Sequence, residues 1–213
     1  MKSVYLVHGF NVKDNGLSTI LRLIPYFITG RKDLRVYRHS YGWLGLLGVI
    51  LHNRGIAAKL AARVFKNRHS KDCQVFAAGH SNGCAILVEA ARRGAVFERV
   101  LLINPALKID MVFPESMKKI FIIYTRHDEP TLTARILDNI PFIGLLIPNA
   151  WGAMGRYGSE VVDSRVTNIN LSYALDGHSA LFTQDNLDTF AKKLASMLLD
   201  EDATKCPIVN PSI

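Results

Sequence analysis

Residues 74–93 read QVFAAGHSNGCAILVEAARR, and at their centre Ser81 stands two residues from a glycine on either side, Gly79 and Gly83. A serine in a G-x-S-x-G frame acquires chemical meaning when a strand runs into it and a helix follows. The apolar run 74–78 and the helical periodicity of 82–93 supply that context. The turn between them is so tight that the serine must take a strained backbone conformation, and side chains two positions before and after would collide. The hydroxyl then stands clear of the sheet, and the helix start beneath it favours developing negative charge. With 15 glycines in 213 residues, chance supplies about 0.06 such frames in the chain. The frame therefore reads as a nucleophile turn.

A serine hydroxyl is a weak nucleophile until a base takes its proton and an acid orients that base. Seven histidines are available. His80 adjoins Ser81 in sequence and is expected to point away from it. His39, His52 and His69 fall in a basic stretch and are expected to face solvent. His127 follows an apolar run, and His178 lies in the glycine-containing segment LSYALDGHSALF, ahead of a helical pattern.

The elbow, together with SVYLVHGF (3–10), KIFIIYTRHDEP (119–130) and LSYALDGHSALF, resembles the α/β-hydrolase superfamily from Val4 to about Leu198. The strand at 3–7 resembles the third strand of that family, which implies a minimal form lacking the first two. The family's chain order of serine, acid, then histidine implies His178 as base. It implies Asp128, just past an apolar strand, as acid. Asp110 is the alternative acid one strand earlier, with Glu129 and Asp163 behind it, and Asp176 is expected to shape the loop. The VHGF segment resembles the family's oxyanion loop: Gly9 would let backbone approach a substrate carbonyl, and the amides of Phe10 and Asn82 would hold the oxyanion. His8 is expected to structure that loop.

These residues need a scaffold. Short apolar runs at 3–7, 74–78, 99–103 and 119–125, with weaker candidates at 34–39 and 168–174, alternate with helical patterns. The helical stretches are Leu17–Thr29, Val49–Lys66, Asn82–Arg93 and Asn186–Leu199, the last with Asp185 as a possible cap. The alternation predicts an α/β fold: a mostly parallel sheet of about six strands with helices on both faces. Residues 1–200 read as a single domain, and 201–213 as a tail without periodicity. Two apolar, glycine-punctuated stretches, 41–51 with Trp43 and 136–158 with Trp151, are expected either to form a substrate-binding wall and a lid (131–160) or to be core.

The formal charge is +8, and between Arg31 and Lys71 ten cationic side chains stand against Asp33 alone. An anionic membrane surface fits that excess as a peripheral partner. Nucleic acid is disfavoured, because neither zinc-ligand spacing nor an aromatic RNA-binding signature nor a recognition helix accompanies it. Cys73, Cys84 and Cys206 form neither a disulfide framework nor a metal site, and no signal peptide or spanning segment is apparent; the expectation is a cytoplasmic protein. Together these readings predict a serine hydrolase of small-molecule or lipid esters needing no cofactor or metal. A thioesterase, acyltransferase or amidase on the same machinery is the alternative. A non-catalytic binding protein on a hydrolase scaffold is the reading from another class.

Overall fold

Alternation along the apolar runs decides the layers of the molecule. In the computed structural model, which describes residues 1–10, 12–42, 46–67, 73–129 and 152–200, six strands form one sheet. They are β1 (Lys2–Val7), β2 (Leu34–His39), β3 (Gln74–His80), β4 (Arg99–Ile103), β5 (Ile120–Tyr124) and β6 (Val166–Asn170). Their spatial order is β2-β1-β3-β4-β5-β6, and every pairing is parallel. Tyr5, Val7, Val75, Ala77, Val100 and Leu102 face one side. Val4, Leu6, Phe76, Ala78, Leu101 and Ile103 face the other. Both faces are apolar because both are covered, as parallel sheets require.

Helices α2 (Leu46–Asn67) and α3 (Asn82–Arg92) cover the first face. The short α1 (Ile24–Ile28) and the long α5 (Gln184–Leu199) cover the second. In α5, Leu187, Phe190, Leu194 and Leu198 recur at helical spacing and are buried; each such side chain contributes about 1.5–3 kcal/mol on burial. Arg54, Lys59, Arg63 and Lys66 lie on the outward side of α2. Among the described residues no helix is long and apolar enough to cross a membrane.

Several local expectations are revised. The pattern over Leu17–Thr29 is not one helix but a 3-10 turn, Ile20–Leu23, followed by α1. Pro25 in the first turn of α1 has no N–H to bond back into the preceding turn, so the two segments stay distinct. The last strand is not 168–174 but 166–170, because Arg165 fixes its start. That guanidinium pairs with Asp163 and donates to the carbonyls of Phe113 and Pro114. Helix α5 begins two residues before the pattern suggested, with Thr183 at the cap position and no side-chain cap. Asp185 lies in its first turn, where its charge suits the positive helix end. His39 is buried, not solvent-facing, and burial lowers its pKa.

Trp43, Trp151 and most of the 131–160 segment lie outside the described residues, as do His69, Cys206 and the tail. The described end of that segment is packed: Met154 is in the core, and α4 (Met154–Tyr157) is tied down by Met154 N–H to Leu107 O and Gly155 N–H to Pro105 O.

Candidate active site

The strand-to-helix turn at Ser81 has the geometry its glycines demand. Ser81 sits at φ 55°, ψ −124°, a left-handed region that a non-glycine residue enters only under constraint. Its N–H donates to Ile103 O, and its carbonyl accepts from Cys84 and Ala106 N–H. Main chain on both sides therefore over-determines the strain. A β-carbon on Gly79 would meet Leu87 Cδ1 at 2.8 Å and the Cys84 nitrogen at 3.0 Å. One on Gly83 would meet His8 O at 2.6 Å and Val7 O closer still. The two glycines let the first turn of α3 settle against the ends of β3 and β1.

The segment after β1 passes directly over this turn. A β-carbon on Gly9 would lie 3.0 Å from Ser81 Cβ, so the glycine permits the close approach. The Gly9 carbonyl is turned away and held by two donors, Tyr41 Oη at 2.7 Å and His8 Nδ1 at 2.8 Å. Tyr41 Oη also reaches His8 O at 2.8 Å. Because a carbonyl only accepts, His8 carries its proton on Nδ1, and its Nε2 faces Tyr41 N–H. Burial lowers the His8 pKa, keeping the ring neutral, and the ring stacks on Tyr41 at 4.1 Å. The Gly9–Phe10 peptide is trans, so Phe10 N–H points opposite to the fixed carbonyl, away from Tyr41.

Asn82 opens α3 and is fully buried. Its side-chain amide is spent on a reciprocal pair with Asn53 of α2, at 2.8 and 3.1 Å. The group it has left to offer a ligand is therefore its backbone N–H.

His178 arrives from the loop after β6. That loop is pinned by Leu171 N–H to Tyr124 O and by Thr125 Oγ1 to Leu175 O at 2.7 Å. His178 Nδ1 lies 2.9 Å from both carboxylate oxygens of Asp128, which is completely buried. A carboxylate accepts, so Nδ1 carries a proton, and in the neutral ring the lone pair lies on Nε2. Of the other acids weighed, Asp110 and Glu129 are exposed, Asp163 pairs with Arg165, and Asp176 is an exposed neighbour of His127 at 3.9 Å.

Ser81 Oγ makes no hydrogen bond to His178 among the described residues. His80 joins the two segments instead: its ring is centred 4.7 Å from that of His178, and its Nε2 donates to His178 O at 3.1 Å. It also packs edge-on against Phe182. Burial, and secondarily the proximity of His178, hold the His80 pKa well below the usual histidine value. Tyr41, Asn53, Asn104 and Thr125 were missed from sequence; Tyr41, Asn104 and Thr125 stand just after strand ends, the one positional signal available, and Asn53 carries none. Among the described residues no cluster of three or more His, Cys, Asp or Glu side chains is placed to hold a metal ion.

The sequence matches no family model and no curated protein. Solved structures do resemble it. One is a protein from Xanthomonas campestris described as a putative hydrolase of the alpha/beta superfamily. It aligns at 19% identity over 92% of this chain and 98% of its own, with a TM-score of 0.54. An esterase from Pyrococcus furiosus aligns at 11% identity over 92% of this chain and 81% of its own, TM-score 0.55. Lipase B from Aspergillus fumigatus aligns at 14% identity over 96% of this chain but 54% of its own, TM-score 0.55. With a six-stranded, all-parallel sheet flanked by helices on both faces, this chain has the α/β-hydrolase fold.

Proposed function

We propose that the protein is a serine hydrolase of carboxylic esters, with Ser81 as nucleophile, His178 as base and Asp128 as the acid that orients it. The observation that carries the reading is the His178–Asp128 pair, 2.9 Å on both oxygens, whose histidine is bonded through its carbonyl to His80, the neighbour of a serine at a left-handed φ. An esterase and a lipase among the structural neighbours support the same chemistry.

In this reading His178 Nε2 accepts the Ser81 proton as Oγ attacks the substrate carbonyl, and Asp128 stabilises the imidazolium that forms. The backbone N–H groups of Phe10 and Asn82 receive the oxyanion, a contribution of about 3 kcal/mol for each well-aimed donor. Leaving-group protonation by His178 yields an acyl-serine, which water then hydrolyses with the same histidine as base. The Ser81–His178 bond is expected to form on substrate binding, because such contacts are commonly long without substrate and tighten in the Michaelis complex.

Labelling with a fluorophosphonate is the direct test: a single adduct on Ser81, abolished by Ser81→Ala and by His178→Ala, is expected. Folded protein that takes no label overturns the proposal. A panel of esters, thioesters and amides of increasing chain length then separates esterase from thioesterase or amidase, with hydrophobic esters expected to turn over fastest.

A further inference from the structure

The ring of His178 donates to Asp128, and its main chain is held separately, by donors from the nucleophile side of the sheet. His178 O accepts from Asn104 Nδ2 at 2.9 Å as well as from His80 Nε2 at 3.1 Å. Asn104 closes β4, next in the sheet to the strand that carries the elbow. Its N–H continues the ladder to Ile123 O, and it is 1% exposed.

Three features of these two side chains are unfavourable taken alone. Asn104 sits at φ 44°, a left-handed conformation that asparagine enters more readily than most residues but less freely than glycine. Because a carbonyl only accepts, Asn104 must present its NH₂ group to it and His80 its Nε2–H. That orientation leaves Asn104 Oδ1 and His80 Nδ1 buried with no partner among the described residues. Unmet buried acceptors forfeit their hydration without return. All three costs serve one contact, the grip on the carbonyl of His178.

We infer that Asn104 is a positioning residue: with His80 as the second donor, it clamps the loop bearing His178 onto the elbow and so sets the distance from the imidazole to Ser81. The inference rests on the catalytic reading above. Thr125 fixes the loop three residues earlier through Leu175 O, and Gly177 at φ 114° turns the chain between the two anchors. The Asp128 pair settles how the ring is oriented; the Asn104 grip settles where its backbone stands.

The left-handed φ chooses the variants. Alanine would add strain of its own, whereas Asn104→Gly removes the donor and tolerates the conformation. Asn104→Asp keeps the shape but sets a carboxylate against a carbonyl. Turnover of a soluble nitrophenyl ester should fall about tenfold in kcat for Asn104→Gly, with KM within about twofold, since one neutral hydrogen bond is worth about a decade at most. Asn104→Asp should lose more, and its added negative charge should move the acid limb of the kcat/KM profile to higher pH. Hydrogen exchange provides a readout independent of activity: in Asn104→Gly, amides of the 172–182 loop should exchange faster while those of β3 and β4 keep their protection.

Unchanged loop exchange overturns the clamp, and so does kcat within twofold of the parent for both variants while Ser81→Ala is inactive. Exchange accelerated equally throughout the sheet marks Asn104 as merely structural and overturns it as well. Activity persisting in Ser81→Ala would instead remove the nucleophile assignment, and the clamp would then be decided by exchange alone.

Discussion

Replacing Gly83 with alanine adds one methyl group at the most crowded point of the elbow. Its β-carbon would stand 2.6 Å from His8 O and 2.8 Å from Val7 C, and nearer still to Val7 O. All three atoms are backbone at the C-terminal end of β1, so no side chain can swing aside. Ordinary contact requires a shift of roughly 1 Å, either of α3 away from β1 or of the His8–Phe10 segment away from the elbow. Overpacking of this kind costs about 1–3 kcal/mol, which for a domain of this size lowers Tm by about 2–12 °C. Activity should suffer more than stability, because a 1 Å displacement of aligned groups costs about a hundredfold in rate. Calorimetry with ester turnover on the same preparation measures both. Gly83→Ala with unchanged Tm and full kcat would refute the view that contact with β1 sets the elbow. Loss of Tm with full kcat would refute the view that it positions the Phe10 amide.

Other outcomes follow from the same geometry. Asp128→Asn should reduce kcat on the order of 10³-fold or more by disturbing the tautomer of His178, while the exposed Asp110→Asn should stay within about twofold; the reverse ranking would transfer the acid role. Tyr41→Phe removes the hydroxyl held by His8 O and Gly9 O, and is expected to lower kcat several-fold with a small loss of Tm; an unchanged kcat would mean His8 alone fixes the loop. His8, His39 and His80 all have pKa values lowered by burial from 6.5. The unfolded chain therefore binds more protons than the folded one below that value. Stability should be fully present above about pH 6.5 and fall as pH drops through and below it, by up to about 1.4 kcal/mol per pH unit for each histidine. Denaturant midpoints measured from pH 8 to 5 test this, and a flat profile would contradict it.

The fold was legible because buried parallel strands leave a plain mark in sequence, short runs such as RVLLI and IFIIY between helical stretches. The strand-to-helix turn at Ser81 was legible for a related reason: its two glycines answer a local steric demand that spacing alone exposes. Boundaries set by distant side chains were not. Nothing near 168 announces that Arg165 will reach the 113–117 loop and start the strand early. The supports of the site share that character. Asn53 meets Asn82 across two helices, and Asn104 meets His178 from 74 residues away. Single amides of this kind carry no periodicity, and His39 looked exposed only because its neighbours in sequence are basic.

Parallel sheets leave two outermost strands whose unused amides and carbonyls invite another chain to add itself. Here a side chain engages each outer strand. Beyond β2, Arg63 donates to Arg38 O at 2.7 Å and lays its guanidinium over Tyr37. Beside β6, Asn168 clasps both the N–H and the C=O of Ser159. A charged side chain held against an edge strand is one device that opposes edge-to-edge pairing. The positive charge at Arg63 thus acquires a use unrelated to any ligand: held against β2, it disfavours the docking of another strand along that edge.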